Sequence, residues 1–265
     1  MTTFYGLPGA EAFWHWTTLV HFLLVALAGG TAFYTAILGI RRPDAVRGLA
    51  WLALAFIVLD LFMLWAESPA RFRFSHVWLF LSFEPASAIW WGAWGLATSA
   101  LMLLLLAMGL GPARLWAGLL ALSSSVVLAY PGYALAANAA RPLWDHLLLA
   151  FFPASGLLLA LAVLVWLRPA EEAAPWLQVA ALASLALAAL YPVALASGGA
   201  DARLALVLWL RGWGWFLLGG GLLFLAAFLA RRAPALAGGC ALAGAFVLRS
   251  WIVEQGQHSL FVHGF

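Results

Sequence analysis

Hydrophobic residues follow one another along this chain in long runs, and polar residues are confined to the short segments between them. A bilayer core about 30 Å thick requires about 20 apolar residues for each helix that crosses it. Turn and helix-stop sequences such as RRPD at 41–44, GP at 111–112 and RRAP at 231–234 separate the runs. The pattern predicts transmembrane helices near 14–39, 47–66, 88–110, 114–138, 143–167, 174–197, 206–230 and 234–254.

These runs predict an all-α, polytopic integral membrane protein with eight transmembrane helices in a single membrane domain over residues 1–265. We expect the helices to form two four-helix bundles. Leu-Ala-Tyr-Pro at 128–131 and Ala-Leu-Tyr-Pro at 189–192 lie at matching depths of two of them, which is consistent with two related bundles.

Composition excludes a soluble fold. Hydrophobic residues make up 66% of the chain and charged residues 9%, whereas an ordinary soluble domain has roughly 25% charged residues. The net charge of +3 is spread over short loops without a basic run, which argues against nucleic-acid binding. The single cysteine, Cys240, cannot by itself form an internal disulfide, hold an iron–sulfur cluster or attach a haem covalently.

Loop charges predict the orientation of the chain. If the N-terminus is outside, more loop arginines lie inside than outside, as the positive-inside rule requires. Both termini then lie on the outer side, because the number of predicted helices is even. The longest loop, 67–87, is also on that side, and its Arg71, Arg73 and His76 are candidates for docking a partner.

Three polar residues on separate helices reach one depth. His21 lies about seven residues into the first helix, which at 1.5 Å per residue is about 10 Å below the outer surface. Tyr130 and Asp60 lie similar distances from the outer ends of their own helices. Thr18 shares the face of His21, and Glu67 shares the face of Asp60. Because ionisable groups in hydrocarbon are costly, this coincidence predicts a polar pocket in the outer half of the bundle.

Such a pocket suits a quinone headgroup, which needs hydrogen-bonding partners, an apolar slot and, when quinol is oxidised, a proton acceptor. His21 and Tyr130 supply donors, and Asp60 and Glu67 supply acceptors. Structural alternatives stand beside this interpretation: an interhelical bond for His21, a carbonyl freed by the following proline for Tyr130, an arginine partner for Asp60, and a helix-end position for Glu67.

Several strings of the sequence are long and unusual: FYGLP at 4–8, FWHWT at 13–17 with His21 following, WAESPARFRF at 65–74, HVWLFLSF at 76–83, IWWGAWG at 89–95, YPG at 130–132 and NAARPLW at 138–144. In these strings the sequence resembles the NrfD-type family of membrane anchors for respiratory molybdenum enzymes, which includes the membrane subunit of polysulfide reductase. Beyond residue 145 only the helix pattern and loop placement match.

The resemblance implies eight helices without haem or an iron–sulfur cluster in this chain. It implies menaquinol binding near the outer face, through His21, Tyr130 and Thr18. Thr18 stands where a relative has asparagine, so its side chain is shorter and lacks the amide. Asp60 and Glu67 fall at positions associated with a proton route.

The resemblance also implies partners: a four-cluster, ferredoxin-like iron–sulfur subunit and a molybdopterin catalytic subunit, in the bacterial inner membrane, with a dimer of the whole complex possible. On this interpretation the chain oxidises quinol but does not itself reduce the terminal acceptor. Two alternatives remain. A b-haem cytochrome would need paired axial imidazoles, yet His21 is the only clearly intramembrane histidine. A transporter is favoured by intramembrane Asp60 and Arg211.

Overall fold

The computed structural model describes residues 16–67, 82–137, 141, 143–167 and 170–257, with the backbone alone at 67, 170, 171 and 201. Within these ranges the chain forms nine α-helices, a short 3-10 helix at Pro43–Ala45 and no strand. The helices are α1 (Trp16–Arg41), α2 (Arg47–Glu67), α3 (Ala88–Met108), α4 (Ala113–Ala136), α5 (Leu148–Leu167), α6 (Ala170–Ser197), α7 (Ala200–Arg211), α8 (Trp213–Leu229) and α9 (Pro234–Gln257).

Seven of the described helices are long and apolar enough to cross a membrane, and α7 and α8 together provide an eighth span. The prediction of an all-helical membrane protein with eight spans is therefore confirmed. The single helix expected near 206–230 is instead interrupted, because α7 and α8 meet at Gly212 with a bend of 77°. The indole nitrogen of Trp251 packs directly against Gly212, where a β-carbon would collide with it. Apolar length alone gives no sign of such a bend.

The helices form two bundles of four spans. Helices α1 to α4 pack together as one bundle, and α5, α6, α8 and α9 form the other, with α7 against α6. The bundles meet where α1 and α4 contact α5. Gly30 of α1 allows this close approach, since a β-carbon there would lie 2.5 Å from the carbonyl oxygen of Gly156. Small residues at helix crossings of this kind are typical of membrane proteins.

Large apolar side chains cover the outer faces of the bundles. Exposed examples are Trp51, Phe62, Leu122, Trp176, Val193 and Phe228. A soluble protein of this size rarely exposes such continuous apolar surface, whereas lipid tails solvate it without cost. The polar residues are instead buried between helices, and this arrangement positions the candidate site.

Candidate functional site

A chain of three buried polar side chains crosses the first bundle. The Tyr130 hydroxyl lies 2.8 Å from His21 Nε2, and His21 Nδ1 lies 2.6 Å from Asp60 Oδ1. The exposed fractions are 8% for Tyr130, 5% for His21 and 0% for Asp60. The three residues come from α4, α1 and α2, so the site exists only once these helices have packed.

The surrounding helices hold this chain of side chains in place. The ring of Tyr130 lies against Gly92 of α3, where a β-carbon would be 2.7 Å from Cδ2 of the ring. Pro131 follows Tyr130, yet α4 continues to Ala136, and both residues are buried. Phe22, the neighbour of His21 on α1, packs edge-on against Phe152 of α5.

An ionised Asp60 would set which atoms donate and which accept in the two hydrogen bonds of His21. With Asp60 ionised, His21 Nδ1–H donates to the carboxylate, and His21 Nε2 then accepts the hydroxyl hydrogen of Tyr130. The Tyr130 oxygen keeps lone pairs with which to accept another hydrogen bond. Asp60 Oδ2 is buried and has no hydrogen-bond partner among the described residues. The arrangement can therefore pass a proton from Tyr130 through His21 to Asp60.

The structure describes only some of the other predicted site residues. Thr18 is buried on α1, one turn before His21. The side chain of Glu67, together with Arg71, Arg73 and His76, lies outside the described residues. Among the described residues the ion-pair partner of Asp60 is His21, and no arginine pairs with its carboxylate there.

The structure also shows that His21 and Tyr130 bond each other directly. The sequence led us to expect His21 and Tyr130 as two donors to a headgroup, but their separation of 2.8 Å leaves no room for a ring between them. A ligand must therefore approach this pair from one side.

Sequence analysis assigned no role to Arg249, which proves to be a buried cation of α9. It is 3% exposed and donates from Nη1 to the Phe152 carbonyl at 3.0 Å and to Ser155 Oγ at 2.8 Å, and from Nη2 to the Phe22 carbonyl at 2.9 Å. Its guanidinium also lies 4.3 Å from the centre of the Phe152 ring. The signal that could have found it is an arginine within the last apolar run. Arg211, by contrast, is exposed at the bend between α7 and α8.

Tyr191 of α6, the counterpart of Tyr130 in the repeated Tyr-Pro sequence, has a structural environment. It is 2% exposed, and its hydroxyl donates to the carbonyl of Leu143. The two tyrosines therefore differ in their partners: one bonds an ionisable side chain, and the other bonds the backbone.

The described part of the chain holds no group of three His, Cys, Asp or Glu residues that could bind a metal ion. Fold and site together define a polytopic helical membrane protein whose buried Tyr–His–Asp chain is suited to proton transfer.

The family model NrfD_2, described as polysulfide reductase, matches residues 1–265, and the chain belongs to this family. The chain is thus a membrane subunit of a redox complex, of a family that interacts with quinone. None of the curated proteins compared with the chain matches it.

Proposed function

We propose that this chain is the quinol-oxidising membrane anchor of a respiratory molybdoenzyme complex of polysulfide reductase type. It takes electrons from menaquinol, passes them to an iron–sulfur subunit and releases protons on the way. The molybdopterin subunit of the complex reduces the terminal acceptor. The observation that carries the proposal is the hydrogen-bonded chain of Tyr130, His21 and Asp60 inside the first bundle.

Oxidation of one quinol supplies two electrons and two protons. The oxygen of Tyr130 can accept a proton as the tyrosine passes its own to His21 Nε2, while His21 Nδ1–H passes to Asp60 Oδ1. The three side chains then carry one proton to Asp60 and must hand it on before they carry the second. Glu67 lies seven residues after Asp60 on α2, which is about 10 Å along a helix, and is the proposed next acceptor.

The site fits a substrate that donates a hydrogen bond. With the direction described above, the Tyr130 oxygen is an acceptor, and Thr18 adds a hydroxyl one turn along α1. His21 then acts through Tyr130 and need not touch the headgroup, which refines the roles expected from the sequence.

We also propose how the subunit is oriented in the membrane and which segment contacts its partner. The chain lies in the bacterial cytoplasmic membrane with both termini on the outer side. The segment around Arg71, Arg73 and His76 docks the iron–sulfur subunit on that side, above the buried site.

Binding of a quinone analogue to the purified chain tests the proposal. We expect His21→Ala to weaken binding, because Tyr130 loses the acceptor that fixes its hydroxyl. His146→Ala is the matched control, since His146 is exposed near the start of α5. Equal binding by the two variants would contradict the proposal.

Two further measurements separate the alternatives. A Soret band in the absorption spectrum of the purified chain would support a b-haem cytochrome. Gradient-driven uptake of an ion or solute into proteoliposomes that is lost in Asp60→Asn would support a transporter.

A further inference from the structure

Arg249 is a buried ionisable group to which the quinol chemistry above gives no role. Its two terminal nitrogens bond protein oxygens, but its Nε–H has no acceptor among the residues described. No carboxylate within the described ranges forms an ion pair with it either. An unpaired buried donor on a cation is unfavourable, so an acceptor oxygen from a bound molecule would stabilise Arg249.

A narrow crevice between α1 and α9 leads to this arginine. Besides Arg249 it is lined by Leu19, Phe22, Leu23, Phe246, Ser250 and Val253. The crevice is closed in this structure, with no room for a water molecule, so α1 and α9 must part before a ligand can enter it. Phe246 is 37% exposed on the outer face of the helices, so the crevice borders lipid. The contact between α1 and α9 is slight compared with the contact that each of them makes with α5, so little packing holds the two helices together at the crevice.

The crevice adjoins the buried polar chain. Phe22, which lines it and whose carbonyl accepts from Arg249, directly follows His21. Apolar walls around a single cationic donor fit an apolar body that carries an acceptor oxygen. A quinone carbonyl meets this description. So does a fatty-acid carboxylate.

We propose that the quinone headgroup reaches its site from the lipid through the crevice between α1 and α9, and that Arg249 donates Nε–H to one of its oxygens. This inference rests on the proposed function and adds a polar contact from α9 to those of Tyr130 and Thr18. Tyr130 and Arg249 belong to different bundles, so the headgroup binds where the bundles meet.

Binding of a short-tailed menaquinone to the full chain in detergent, followed by quenching of tryptophan fluorescence, tests the inference. Arg249→Lys keeps the charge but removes Nε–H, and we expect binding to weaken about tenfold or more. Ser250→Trp places a large ring at the crevice and leaves Arg249 itself unchanged, and we expect binding to be lost. Ala243→Trp is the matched control, because Ala243 is exposed on α9 and outside the crevice lining. Thermal unfolding identifies variants that fail to fold.

The outcomes separate this inference from the function on which it rests. Unchanged binding in folded Ser250→Trp would show that the quinone does not enter through the crevice. Unchanged binding in folded Arg249→Lys would show that Arg249 Nε–H does not contact the headgroup. If Ser250→Trp blocks palmitate but not the quinone, the crevice is a lipid site and the inference is wrong. If Tyr130→Phe weakens binding while Ser250→Trp does not, only the inference fails. If the wild-type chain binds no quinone, the proposed function fails as well.

Discussion

Replacing Tyr130 by Phe removes only the hydroxyl oxygen and so tests the proposed proton path from Tyr130 to Asp60. The variant keeps the ring against Gly92 but deletes the hydroxyl that lies 2.8 Å from His21 Nε2. The proposed proton path then begins with a group that can neither accept nor donate a proton. Tyr191→Phe is the matched control, because Tyr191 occupies the equivalent Tyr-Pro sequence in α6 and its hydroxyl bonds the backbone.

Loss of the Tyr130 hydroxyl should affect stability much less than it affects quinol turnover. Interhelical hydrogen bonds in a membrane protein contribute about 0.6 kcal/mol on average and about 1.7 kcal/mol at most, so each variant should lose a similar, small amount of stability. A positioned group that transfers a proton contributes about 10²- to 10⁴-fold to rate. We therefore expect Tyr130→Phe to lower quinol turnover by about 10²-fold or more, and Tyr191→Phe to leave it near that of the wild type.

The assay is quinol-dependent electron transfer by the assembled complex in proteoliposomes, with thermal unfolding of each variant measured in parallel. Comparing the two variants removes any general effect of losing a buried hydroxyl. Equal turnover in Tyr130→Phe and Tyr191→Phe, at equal stability, would refute the proposed path.

Three further predictions concern other parts of the site. Asp60→Asn should retain quinone-analogue binding, because the amide oxygen can still accept from His21, but should lower turnover about 10²-fold since it cannot take the proton; loss of binding as the main effect would contradict this. Gly92→Ala should lower turnover by displacing the Tyr130 ring, whereas Gly118→Ala, where a β-carbon meets nothing within 4 Å, should not; equal turnover in the two would count against a positioned tyrosine. The double change Arg71→Gln and Arg73→Gln should weaken binding of the iron–sulfur subunit most at low salt, as measured by co-purification, while Arg41→Gln with Arg42→Gln on the opposite side should not.

The sequence by itself determined the class of protein and the spans. Apolar runs long enough for a bilayer must become helices, because lipid offers no partner for backbone groups. Depth along a helix follows from residue counting at 1.5 Å per residue, so His21, Asp60 and Tyr130 could be assigned to one level from the sequence alone.

Only the tertiary structure decided which groups meet at that level. Counting gives depth but not the direction in which each helix faces, so it could not show that Asp60 bonds His21 or that His21 and Tyr130 touch directly. The partners of Arg249 could not be read from the sequence for the same reason, since they lie at least 94 residues away along the chain. The bend at Gly212 likewise lies against the indole of Trp251, which belongs to another helix. In lipid the apolar pattern fixes where a helix lies along the membrane normal, and packing between helices fixes what its polar residues contact.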